Sequence, residues 1–129
     1  MTKKALIVFG AVLAMVVSGK TVMAGDAAAG EEVFNKKCKT CHTVEEGKHR
    51  TGPSLAGVVG RKAGSTDFKR YKGLKDADFV WDETMLIEYI GDPKAFVQLH
   101  TDHKTTSMTF KLKDETDRAN VVEYLKTVK

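Results

Sequence analysis

Apolar positions along the chain gather into short clusters with helical spacing, separated by polar stretches rich in glycine. Asp26 can cap a helix beginning in Ala27-Ala28-Ala29, with Glu31 and Glu32 near its positive end. Gly30, Val33, Phe34 and Lys37 then fall roughly on one face. Gly30 costs about 1 kcal/mol of helix propensity against alanine, which a close helix–helix crossing at that point would offset. Thr43 to Thr51 is polar and reads as a surface loop, with His49 a solvated loop histidine. Residues 65–78 lack apolar periodicity and read as an irregular covering loop. Asp82 can cap a second helix that turns Met85, Leu86, Tyr89 and Ile90 inward and stops at Gly91. Asp92-Pro93 opens a third, short helix, since proline is tolerated in a first turn. Val97 to Thr109 is mostly polar, and Asp114 can cap a last helix carrying Ala119, Val121, Val122, Leu125 and Val128. The pattern predicts an all-α domain with no internal repeat.

The N-terminus follows a different logic. Lys3 and Lys4 precede an uninterrupted small and apolar run from Ala5 to Val17, broken by Ser18-Gly19-Lys20. Val22-Met23-Ala24 then offers small residues where a signal peptidase reads. This is the layout of a secretory signal, and the run is short for a membrane span. The expected organisation is a cleaved signal at 1–24 and one domain at 25–129; the competing reading is an uncleaved anchor. Cleavage changes the charge argument. The whole chain is +4, but Lys3, Lys4 and Lys20 leave with the signal. The remainder has 18 basic against 17 acidic side chains, about +1. That balance gives no support for nucleic-acid binding.

The two cysteines of the chain stand in Cys38-Lys39-Thr40-Cys41-His42. C-x-x-C-H is the attachment signature of a c-type haem. Two thiols about one helical turn apart can form thioethers with two vinyl groups on one edge of a porphyrin, and the next residue offers an imidazole to the iron. A structural zinc site needs four ligands, and no second cysteine pair or familiar histidine spacing supplies them. A thioredoxin-type C-x-x-C expects a βαβ surround that is not visible here. Export agrees with haem attachment outside the bacterial cytoplasm. Pro53, which lacks an N–H, sits where a free carbonyl could accept from the second nitrogen of His42. Arg61, Tyr71 and Trp81 are candidates for binding haem propionates, against the plainer reading of a surface arginine and boundary aromatics.

The position opposite His42 decides the chemistry: methionine closes the iron and raises its potential, and an open site permits ligand or peroxide reactions. Met85, Met108, His100 and His103 are the candidates. Met85 belongs to an apolar helical stripe. Met108 is an isolated soft residue in Thr105-Thr106-Ser107-Met108-Thr109-Phe110, and thioether sulfur suits haem iron. Met108 is therefore the choice, with His100 and His103 as competitors, because long loops cost little extra closure entropy.

Together these residues resemble the class I cytochromes c, on the bacterial cytochrome c2 and mitochondrial side of that family. The resemblance runs through Gly30 and Phe34, the Cys38–His42 motif, Gly52-Pro53-Ser54-Leu55-Ala56-Gly57 and Gly60-Arg61-Lys62-Ala63-Gly64. It continues in Trp81, residues 83–90, Asp92-Pro93-Lys94, Met108-Thr109-Phe110, Arg118-Ala119 and Glu123-Tyr124-Leu125-Lys126. It implies a small class I cytochrome c fold, helices packed around one covalently bound haem c, with the N- and C-terminal helices crossing. Cys38 and Cys41 would carry the thioethers, and His42 and Met108 would be the axial pair. Pro53 would accept from the proximal imidazole, Arg61, Tyr71 and Trp81 would lie on the propionate side, and Tyr89 would lie near the methionine sulfur. The segment from Pro93 to Met108 is longer than in the mitochondrial form, Ser107 replaces a frequent lysine, and the strongly basic balance is missing.

The function so implied is a periplasmic, monomeric one-electron carrier rather than an enzyme. Its partners would be membrane or periplasmic redox complexes: a cytochrome bc1, an oxidase, a reaction centre or a dehydrogenase. Lys36, Lys37, Lys39, Lys62 and Lys104 would form a modest docking patch. The rivals are a haem protein with a labile sixth ligand acting on peroxide or small gases, and a membrane-tethered electron-transfer subunit.

Overall fold

The computed structural model describes residues 25–129, together with Gly10. The signal expected at 1–24 lies outside the described residues. Among the described residues there are four α-helices: α1 (Ala27–Val33), α2 (Glu83–Gly91), α3 (Pro93–His100) and α4 (Glu115–Thr127). Among the described residues there is no strand, only an isolated antiparallel bridge between Lys62 and Val80. Among the described residues the fold is all-α, as the helical spacing of the apolar positions predicts.

Each helix starts at an aspartate whose side chain takes up an otherwise orphaned backbone N–H. Asp26 accepts from Ala28 and Ala29, Asp82 from Met85, Asp92 from Ala95 and Asp114 from Asp117. Such a cap contributes about 1 kcal/mol over alanine. Glu31 and Glu32 stand beyond the first turn of the short α1, where the helix dipole has largely faded.

The frame is closed by α1 crossing α4. A Cβ on Gly30 would lie 1.9 Å from the Asn120 carbonyl oxygen, so the two backbones touch where only glycine fits. Phe34 is buried one turn later, its ring 5.6 Å from that of Tyr124. Lys37, expected on the same face, is exposed instead. The reason is a change of pitch: from Phe34 to Cys38 the helix widens into a π turn, with Lys39 N–H donating to the Phe34 carbonyl. The widened turn moves everything after Phe34 out of phase with the crossing face.

The core behind this crossing contains Val121, Val122 and Leu125 of α4, Leu86 and Ile90 of α2, and Phe96 and Val97 of α3. Trp81 lies inside it at 5% exposure, stacked on Phe96 and edge-on to Phe79 and Tyr89. It is a core residue, so the plain reading as a boundary aromatic is corrected. The helix α3 also runs through His100, three residues further than the polar character after Val97 suggested. Its buried Phe96 and Val97 hold the last turn in place.

Candidate haem-attachment site

The π turn delivers Cys38, and the chain then tightens: Cys41 and His42 both donate their backbone N–H to the Cys38 carbonyl. Both cysteines are free and partly buried. Burial, and secondarily the nearness of Cys41, push the Cys38 thiol up to about 11.

His42 is held from two sides. Its Nδ1–H donates to the Pro53 carbonyl at 2.7 Å, so the remaining nitrogen, Nε2, is the one left for a metal. Gly52 presses on the ring from the loop: a Cβ there would come within 2.3 Å of Cε1 and 2.9 Å of Nε2. Burial lowers the basicity of His42, the Pro53 bond opposes that, and Arg61 adds to it. Gly52 is itself fixed by its N–H on the Cys41 carbonyl. The Pro53 carbonyl is thus the acceptor that fixes the ring. Gly52, beside it, is a positioning residue that sequence reasoning passed over.

Arg61 is half-buried and donates to the Ala56 and Ser54 carbonyls, at 2.7 and 3.0 Å. It is a loop clamp, not an ordinary surface arginine. Tyr71 bonds Thr66 through its hydroxyl at 2.6 Å and packs edge-on against Phe68. Tyr89, whose ionisation is pushed up by burial, reaches Thr106 at 3.5 Å, and the same Thr106 hydroxyl accepts from the Met108 N–H at 3.4 Å. Met108 packs against the edge of the core.

The histidines differ from expectation. His49 is not a solvated loop side chain: it is 18% exposed, accepts from the Ser54 N–H on Nδ1 and donates from Nε2 to Asp67. That pattern assigns its proton to Nε2 and ties two loops together. His100 holds Glu88 at 3.2 Å with its ring over Phe96, and His103 donates to the Lys75 carbonyl at 3.1 Å. These tethers link residues 12 to 28 positions apart, so no local spacing could have announced them.

The residues fit a covalent porphyrin. Two unpaired thiols lead into an imidazole whose outer nitrogen is already spent, leaving Nε2 for an iron. A site so built defines a c-type haem protein. Residues 27–129 match the family model described as Cytochrome c. The chain belongs to the cytochrome c family. Cytochrome c2 of Rhodopseudomonas palustris is 45% identical over 116 residues, spanning 81% of this chain and 99% of the relative. Cytochrome c2 of Rhodospirillum rubrum is 43% identical over 119 residues, covering 87% of each. The solved structure of cytochrome c2 from Rhodobacter sphaeroides superposes with a TM-score of 0.73 at 41% identity, covering 81% of this chain and 96% of that one. The protein is thus an electron-transport protein carrying one covalently attached haem c and its iron.

Proposed function

We propose that the protein is a soluble periplasmic one-electron carrier whose haem is ligated by His42 and Met108, exported by a signal cleaved after Ala24. When bound, the haem supplies a one-electron couple at its iron. Cys38 and Cys41 would fix it to the π turn that follows α1 and to the turn after that, and His42 would offer Nε2 while Pro53 holds the other nitrogen. The observation that carries the reading concerns the second axial position. Both competing histidines have ring nitrogens engaged by Glu88 and by Lys75, whereas Met108 packs at the core margin. Met85 belongs to the apolar face of α2. With a protein ligand on each side, the iron would keep the same ligands in either oxidation state, which favours fast exchange over ligand chemistry.

No helix among the described residues is long and apolar enough to cross a membrane. Lys36, Lys37, Lys39, Lys62 and Lys104 are all exposed, although Lys36 already pairs with Glu32. A patch of this size gives weak, salt-dependent steering towards a membrane or periplasmic redox complex. The test is carbon monoxide binding to the ferrous holoprotein beside Met108→Ala. Refusal by the native protein and uptake by the variant are expected. Ready uptake by the native protein would move the reading to an open-site haem protein, and refusal by both would assign the ligand to a histidine. Intact mass of the periplasmic protein, beginning at Gly25, checks the export claim.

A further inference from the structure

The loop carrying Met108 is weakly tied at the methionine itself. The Thr106 bonds to Tyr89 and to the Met108 N–H, and the Ser107 bond to the Arg70 carbonyl, are all 3.4–3.5 Å long, at the limit of a hydrogen bond. The firm contacts lie a few residues on, in the return arm. Leu112 N–H donates to the Ile90 carbonyl at 2.9 Å, and Lys111 pairs with Asp92 at 2.7 Å.

One side chain from α4 completes this fastening. Arg118 donates through Nη1 to the Leu112 carbonyl at 2.8 Å and to the Lys113 carbonyl at 2.9 Å. It is 16% exposed, and among the described residues the one carboxylate within 4 Å, Glu115, is 3.8 Å away and 92% exposed, so an ion pair does not explain its place. Its Nε is buried with no hydrogen-bond partner among the described residues. A Cβ on Gly91 would stand 3.4 Å from Cζ, Nε and Nη1 alike, so the guanidinium lies face-on against the end of α2. A cation is therefore buried, with one N–H left unsatisfied, in a position that serves the two carbonyls of the return arm. Leu112 is only four positions after Met108, a span of at most about 14 Å.

We propose that Arg118 is a positioning residue for Met108: by clamping Leu112 and Lys113 it sets how often the Met108 loop opens. The inference rests on the reading of Met108 as the axial ligand. It is tested by mixing the ferric holoprotein with imidazole, because at saturating imidazole the rate of binding becomes the rate of loop opening. Arg118→Gln should raise that rate about tenfold or more, the factor expected from losing a charge-assisted hydrogen bond. Arg118→Lys should fall between, since it keeps a cationic donor for the two carbonyls that Nη1 serves but loses the planar guanidinium that lies against Gly91. Leu125→Ala, a core truncation two turns along the same helix, should lower the urea midpoint and leave the opening rate alone. An Arg118→Gln rate no faster than that of Leu125→Ala overturns the proposal, and if the glutamine variant gives no holoprotein, Arg118→Lys is judged by the same rule. The sulfur-to-iron charge-transfer band of the native ferric protein separates the two claims. Its absence sinks the Met108 reading and this inference with it; its presence with an unmoved rate sinks this inference alone.

Discussion

Replacing Gly52 by alanine puts the positioning of His42 to the test. The added methyl would start 2.3 Å from Cε1 and 2.8 Å from Nδ1. Carbon atoms in contact prefer about 3.5–4.0 Å, so ring and loop must separate by about 1.2 Å or more. The loop has little room to retreat, because Gly52 N–H is bonded to the Cys41 carbonyl and its own carbonyl to the Arg50 N–H. The ring must yield instead. A shift of that size takes Nδ1 from 2.7 Å out of hydrogen-bond range of the Pro53 carbonyl. Overpacking costs about 1–3 kcal/mol and the lost hydrogen bond about 0.5–1.5 kcal/mol, so the holoprotein should lose about 1.5–4.5 kcal/mol. Gly57→Ala is the matched control. It stands in open space at φ +62°, so it should cost only about 1 kcal/mol, from left-handed backbone alone. Urea titration of the two holoproteins gives the energies, and the proton resonance of His42 Nδ1–H reports the ring. If Gly52→Ala is no less stable than Gly57→Ala and that resonance is unmoved, the reasoning fails.

Two further outcomes follow from other contacts. Gly30→Ala should gain about 1 kcal/mol of helix propensity yet lower the urea midpoint, because its methyl would meet the Asn120 carbonyl at 1.9 Å and push α1 off α4. A stabilised variant would mean the crossing is looser than described. The Asp67 carboxyl is held below its usual range first by the hydrogen bond it accepts from His49. A depressed carboxylate stabilises the fold above its unfolded value, near pH 4, and that contribution is lost as pH falls through the depressed one. Asp67→Asn should therefore flatten the acid limb of stability against pH, and parallel limbs for the two proteins would refute the tether.

What was legible in the sequence was whatever short spacing encodes. Four aspartates announced four helix starts because a cap and its N–H lie two or three residues apart, and Cys38, Cys41 and His42 are contiguous for the same chemical reason. Gly30 could be read as a crossing because a glycine inside a helix costs something that only a close neighbour offsets. The departures all involve partners distant in sequence or a change of pitch. Lys37 left the predicted face because the helix widens at Phe34, a register shift that residue types do not signal. His49 looked solvated because its fixing partner, Asp67, is 18 positions away, and His100 looked like loop because the hydrophobes holding its turn precede it. Arg118 shows the limit most clearly. On α4 it is one more polar residue in a helical pattern, and only the folded chain brings the Leu112 and Lys113 carbonyls and the bare backbone of Gly91 around its guanidinium. The motif names the cofactor from one end of the chain, but how firmly its far side is closed is decided by contacts that periodicity cannot express.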